Sequence, residues 1–197
     1  KYYAAHATEH FALRKDRVHY VPLGVNVDEF PLAQPSDEPF TIGYLARICP
    51  QKGLHTLCRA FAKLRAAGRS CRLRVAGYLG HADNSYLDSI RRQLEDQGAA
   101  GAFEFVGEVD LPAKVDFLHA LSVPTTYVES KGVYVLEALA CGVPVALPRR
   151  GSFEEFVDAT GGGLLYDPAD NDGLETALAN MMDDEPMRTR MAGCGRE

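Results

Sequence analysis

Short apolar runs alternate with longer segments whose apolar residues recur every three or four positions, from Val18 to Met182. The short runs predict strands at 18–23 (VHYVPL), 40–45 (FTIGYL), 71–77 (CRLRVAG), 103–107 (FEFVG), 121–126 (LSVPTT), 143–148 (VPVALP) and 162–166 (GGLLY). Several are apolar nearly throughout, as strands covered on both faces are. Between them, Leu54, Leu57, Phe61 and Leu64 predict a helix over 52–67 with one buried face. Tyr86, Ile90 and Leu94 predict a second, with Asp83 and Ser85 as its expected caps. VYVLEALAC, ending at Gly142, and LETALANMM, preceded by Asp170-Asn171-Asp172 as a cap, predict two more.

Strand–helix alternation of this kind predicts an α/β fold built on a doubly wound, Rossmann-like parallel sheet. The chain reads as a single domain over 1–197, with 1–39 an entry segment and connector and 40–197 the main body. The connector PLAQPSDEP (31–39) holds three prolines and little apolar content. Sheets of this class bind ligands beyond the carboxyl ends of their strands, so chemistry is expected in the strand-to-helix loops.

Composition narrows the function classes. A chain of 197 residues with 46% hydrophobic and 24% charged residues is ordinary for one globular domain. No apolar run approaches the roughly 18 residues that cross a bilayer, so no transmembrane segment is expected. A net charge of −6 argues against a nucleic-acid partner. The five cysteines form no C-x-x-C pair and mostly sit in apolar segments, so they read as small core hydrophobes in a reducing, cytoplasmic setting. The opening residues lack a signal peptide and read as the interior of a longer protein.

Two segments carry candidate chemistry. In GYLARICPQKGLHTL (43–57), Arg47 and Lys52 bracket a loop between strand and helix. A guanidinium fork and a compact ammonium there can neutralise a diphosphate without a metal, although each cation taken singly is more commonly a solvated surface charge. In PTTYVESKGVYVLEALACGVPVALP (124–148), Glu129 lies in a loop and Gly132 opens a helix. The helix amino terminus attracts an anion, and glycine lets the backbone approach it. Glu137 falls about 7–8 Å along that helix, a suitable reach for ribose hydroxyls when a diphosphate rests on the tip. Its neighbours are apolar, and a carboxylate buried among them needs a partner. Paired acids at this spacing are also common on plain surfaces.

Other features weigh less. FVGEVD (105–110) can edge a nucleobase or be a plain loop, and Gly161–Gly163 precedes a strand and reads as a turn. The Asp170–Asp172 pattern reads as a cap rather than a metal site. The histidines are not read as a zinc set, and no metal is expected.

Taken in order, PLGVNVDEF (22–30), IGYLARICPQKGLHTLCRAF (42–61), LRVAG (73–77), FVGEV (105–109), ESKGVYVLEALACGVPV (129–145) and GGLLYDPADNDGLETAL (162–178) resemble the carboxyl-terminal domain of glycosyltransferase family 4 enzymes of GT-B fold. The resemblance implies a retaining, metal-independent transferase that binds a nucleotide-sugar donor, UDP-sugar being the commonest in the family, with no other cofactor. It implies that Arg47 and Lys52 hold the donor diphosphate, that Glu129 contacts donor-sugar hydroxyls and that Glu137 accepts from the ribose. The amides around Lys131, Gly132 and Val133 would meet sugar or phosphate, and Gly107 to Val109 would border the base. Ala46 stands where the family often has glycine, and Lys131 where an aromatic residue is common. The acceptor-binding amino-terminal domain, through which such enzymes reach membranes, is expected to be missing from these residues. A stand-alone nucleotide-sugar-binding module and a GT-B relative such as a sugar-nucleotide epimerase or a phosphorylase are the competing readings.

Overall fold

The computed structural model describes residues 2–34, 39–110 and 118–197; positions 35–38 of the connector lie outside them. Six strands form one parallel sheet: β1 (Phe40–Leu45), β2 (Cys71–Ala76), β3 (Phe103–Gly107), β4 (Ala120–Leu121), β5 (Val145–Pro148) and β6 (Gly163–Tyr166), in the order β3-β2-β1-β4-β5-β6. The helices are α1 (Tyr2–His10), α2 (Leu54–Ala66), α3 (Asn84–Asp96), α4 (Val133–Ala140), α5 (Ser152–Thr160), α6 (Gly173–Asp183) and α7 (Glu185–Arg196). The chain reverses its direction of travel across the sheet between β1 and β4, which is where doubly wound sheets open a crevice.

β1 is the central strand and every one of its residues is buried. Its alternation feeds two separate cores. Ile42 and Tyr44 pack with Leu54, Leu57 and Phe61 of α2, and with Leu87, Ile90 and Leu94 of α3. Leu45, Leu121, Val145 and Leu147 pack on the other face with Val135 and Leu139 of α4 and Phe153 of α5. Burial on both faces explains why the strands read as continuous apolar runs rather than alternating ones.

The structure departs from the sequence reading in several places. Residues 18–23 form no strand, although their pattern predicts one; Tyr20, Val21 and Leu23 are exposed, and the segment pairs with neither edge strand, β3 or β6. Of the run at 121–126 only Leu121 enters the sheet, following Ala120 in β4, because Pro124 has no N–H to continue the ladder and the chain turns toward α4. The buried stripe of α3 is Leu87, Ile90 and Leu94, whereas Tyr86 lies at its border with its hydroxyl oxygen 3.0 Å from the His55 N–H that it accepts from. Neither Asp83 nor Ser85 caps α3 with its side chain. Asp172 occupies the cap position of α6, yet its carboxylate pairs with Lys63 of α2 instead, while Asp170 accepts from the Asp172 N–H at 3.0 Å. Cys49, Cys58, Cys71 and Cys141 are buried as expected of small hydrophobes; Cys194 is exposed.

One glycine sets the entry to α2. Gly53 caps that helix at φ 74°, and a Cβ there would overlap the Pro124 carbonyl of the neighbouring loop. Only a residue without Cβ lets the two strand-to-helix loops at the switch point touch. Gly68, at φ 79° with nothing within 4 Å, is an internal control. Chemical denaturation should show Gly53→Ala losing about 3 kcal/mol or more and Gly68→Ala only about 1 kcal/mol, the cost of a left-handed alanine alone. Equal losses would remove the close approach as the reason.

Candidate functional site

The carboxyl ends of β1, β2 and β3 and the first turns of α4 enclose a cleft of about 220 Å³. Its walls are Leu45, Ala46 and Arg47 after β1, Ala76, Gly77 and Tyr78 after β2, Glu108 and Val109 after β3, and Tyr134 and Glu137 on α4. Arg47 is exposed at the rim and forms no ion pair among the described residues, while its carbonyl accepts from Tyr44 Oη at 3.1 Å. Gly107 sits just behind the wall, where its carbonyl accepts the Gly77 N–H at 2.9 Å. Glu137 is half-buried rather than sealed in the core: the apolar residues around it in sequence face the sheet, and it faces the cleft. Its backbone carbonyl accepts from the Cys141 N–H at 3.2 Å, while its carboxylate makes no hydrogen bond or ion pair among the described residues and is free for a ligand.

Beside this cleft lies an ion pair. Pro50–Lys52 form a single tight turn, closed by the Lys52 N–H on the Cys49 carbonyl at 3.1 Å, which aims Lys52 at the β4–α4 loop. Lys52 Nζ stands 2.6 Å from Glu129 Oε2, and the two side chains are 16% and 6% exposed. The hydroxyls of Tyr127 and Tyr134 donate to the same Oε2 at 3.0 and 2.9 Å. The N–H groups of Ser130 and Lys131 donate to Oε1 at 3.1 and 3.4 Å. Lys52 Nζ lies 5.2 Å from the centre of the Tyr127 ring and 5.0 Å from that of Tyr134, within cation–π range.

The loop bearing Glu129 is tied down on three sides. Thr126 N–H donates to the Gln51 carbonyl at 2.9 Å, Ser152 N–H to the Glu129 carbonyl at 3.0 Å, and Tyr3 Oη to the Val128 carbonyl at 2.6 Å. Gly132 then turns into α4 at φ 57°, a conformation natural to glycine, with no side chain capping the helix. Val133 and Lys131 are exposed on either side of it. The uncapped first turn presents its N–H groups and the positive end of the helix dipole next to the two cations.

Electrostatics and burial oppose each other here, and the pair wins. Burial by itself would raise the Glu129 carboxyl, but the Lys52 hydrogen bond and charge, helped by the Tyr134 and Tyr127 hydroxyls, hold it below the usual glutamate value of 4.5. Burial would likewise lower the Lys52 ammonium, and its bonds to Glu129 and Tyr127 raise it above 10.5. Both groups are therefore charged across the neutral range.

Of the residues expected from sequence, Arg47, Glu137 and Val109 line the cleft, and Lys52 and Glu129 form the adjoining pair. Gly132, Val133 and Lys131 form the helix tip between. Tyr127, Tyr134 and Tyr78 were not anticipated. Tyr134 sits in an apolar run, VYVLEAL, where it reads as one more core residue; its hydroxyl, two positions after a helix-opening glycine, was the available signal. His6 and His10 stand four apart on α1 with stacked rings 5.7 Å apart, a spacing able to hold zinc, but no group of three or more His, Cys, Asp or Glu among the described residues is placed to hold a metal. No helix among them is long and apolar enough to cross a membrane.

Residues 28–197 match the family model described as glycosyl transferases group 1. The chain belongs to that family. It is 30% identical, over 90% of its own length and 50% of the relative's, to a GDP-mannose-dependent alpha-(1-6)-phosphatidylinositol monomannoside mannosyltransferase of Mycobacterium tuberculosis. Among solved structures, Anabaena HepE in complex with UDP and glucose superposes with a TM-score of 0.86 at 20% identity, covering 97% of this chain and 54% of that one. The carboxyl-terminal domain of the group 1 glycosyl transferase LpcC from Francisella tularensis superposes with a TM-score of 0.76 at 20% identity, covering 88% of this chain and 95% of that domain. The fold is that of the carboxyl-terminal half of a GT-B glycosyltransferase, and the chain spans about half the length of the curated relatives it matches.

The buried pair sets two measurable outcomes. Lys52→Met or Glu129→Gln alone should each destabilise the protein by about 3 kcal/mol, by stranding one buried charge, and the double variant should lose less than the sum. Additive losses in urea titrations would show that the two do not interact. A carboxyl lowered on folding contributes stability that is full above its unfolded value of 4.5 and vanishes as pH falls through the lower folded value. Stability should therefore drop more steeply below pH 4.5 in the wild type than in Glu129→Gln; parallel curves would contradict the assignment.

Proposed function

We propose that this chain is the donor-binding half of a retaining, metal-independent glycosyltransferase that transfers a hexose from a nucleoside diphosphate. The observation that carries the reading is the shared corner at Tyr134, where the cleft holding Arg47 and Glu137 meets the Lys52–Glu129 pair and the uncapped tip of α4. In this reading the diphosphate lies across the helix tip, Arg47 and Lys52 neutralise it, and Glu137 accepts from the ribose hydroxyls. Glu108 and Val109 border the base, and Glu129 faces the sugar.

The chemistry follows from those positions. The bond from the anomeric carbon to the diphosphate breaks, the acceptor oxygen bonds to that carbon on the same face, and the acceptor proton passes to the departing diphosphate. Charge grows on the leaving group as the bond opens, and preorganised cations and amides stabilise it there. No divalent ion is required when two side-chain cations and a helix dipole serve that role. The compartment proposed is the cytoplasm, where the buried thiols stay reduced.

A second lobe completes the proposal. Eight of the eleven large apolar residues exposed among the described residues lie between Tyr2 and Leu32. An acceptor-binding half in the same polypeptide would cover that surface and close the cleft.

The resemblance favours UDP as carrier, and the bound UDP of HepE fits this. The mycobacterial mannosyltransferase, closer in sequence, is named for GDP-mannose and favours guanosine as the second reading. Calorimetric titration with UDP, GDP and ADP separates them. One nucleotide should bind preferentially, and equally well in EDTA. Glu137→Ala should weaken it by about tenfold or more, and Arg47→Ala by about fivefold or more. Absence of binding to all three, or affinities untouched by both substitutions, would overturn the reading.

A further inference from the structure

Glu129 already has five donors: Lys52, Tyr127 and Tyr134 on Oε2, and two backbone N–H groups on Oε1. These five already exceed the roughly four lone-pair positions of a carboxylate, so a further donor can enter only by replacing one of them. Of those donors, Tyr134 is the one whose side chain also lines the cleft. Its hydroxyl donates to Glu129 at 2.9 Å, its ring lies 5.0 Å from Lys52 Nζ, and it shares the cleft wall with Arg47 and Glu137. Phe153 of α5 braces the ring edge-on at a centroid distance of 6.5 Å.

We propose that Tyr134 is a positioning residue that links the anion site to the sugar side: it holds Glu129 and Lys52 together, so that a sugar hydroxyl takes the place of Lys52 on Glu129 only when a diphosphate draws Lys52 away. This rests on the donor-binding reading above. The logic is one of exchange. Lys52 has a single compact charge, and a diphosphate beside the α4 tip competes for it with the carboxylate. When the ammonium shifts, Tyr134 and Tyr127 remain on Oε2 and keep the acid from taking up a proton, and the vacated position accepts a hydroxyl. A free hexose, which brings no anion, finds Glu129 occupied.

The groups facing Glu129 are Lys52 from the turn after β1, Tyr127 from its own loop, Tyr134 from α4 and, through its charge effect, Tyr3 from α1. Only Tyr134 is changed in the decisive variant, Tyr134→Phe, which keeps the ring and removes the hydroxyl. Two readouts are taken: the Glu129 side-chain carboxyl resonance followed against pH, and calorimetric binding of UDP and GDP. In Tyr134→Phe the carboxyl midpoint should rise by roughly half a pH unit or more, because a bond to the charged form is lost. Affinity for the preferred nucleoside diphosphate should fall by about fivefold, and Tyr134→Leu, which removes the ring as well, should fall further. A midpoint or an affinity in Tyr134→Phe equal to the wild type overturns the proposal. A wild type that binds neither nucleotide sinks the donor-binding reading instead, and the carboxyl titration still decides whether Tyr134 holds the pair. Glucose or mannose binding alone, at affinities matching those measured with UDP present, would overturn the exchange.

Discussion

The arrangement depends on one buried contact, the Lys52–Glu129 ion pair at 2.6 Å. Taking both charges out of water is costly, and their attraction alone does not recover that cost without further hydrogen bonds. Two tyrosine hydroxyls and two backbone N–H groups supply them here. The result is a carboxylate and an ammonium that stay charged although neither is well exposed. A cation held in that state is a suitable partner for an incoming anion, because its desolvation has already been met on folding.

The sheet makes the contact possible. Lys52 follows β1 and Glu129 follows β4, and these strands are neighbours at the point where the chain changes direction across the sheet. Their loops are drawn together by the Thr126–Gln51 hydrogen bond and by the close approach of Gly53 to Pro124. Arg47 leaves the same strand on the other side of the turn, so the cleft and the ion pair are two sides of one loop. A second cleft, lined by Arg59, Lys63 and Arg150 between α2 and α6, lies beyond the ends of β4 to β6. Lys63 there is engaged by Asp172 and Glu175.

The sheet strands other than β4 were legible because central parallel strands must be apolar on both faces, and α2 and α4 because their stripes and opening glycines mark them. The segment at 18–23 misled because alternation describes a strand's surface and says nothing about whether an edge is available to pair with it. Caps misled at Asp83 and Asp172 for a related reason: a carboxylate at a helix start chooses its partner in three dimensions, and Lys63 of another helix reached Asp172 first. The site residues were recognisable as charges at loop positions. Their pairing was not, since Lys52 and Glu129 lie 77 positions apart and only the sheet order brings them together. Tyr134 was hidden by its apolar neighbours. Glu137 was expected to be buried on the strength of those same neighbours, yet the helix turns it into the cleft.

The central claim is that a nucleoside diphosphate rests at the corner shared by the β1–β3 cleft and the tip of α4. Mapping of backbone amide shifts on titration with UDP or GDP tests it directly. The account predicts the largest changes at Ala46 and Arg47, Gly77 and Tyr78, Glu108 and Val109, and Gly132 to Glu137. Changes centred instead on Arg59, Thr125, Arg150 and Asn171, around the second cleft, would contradict it.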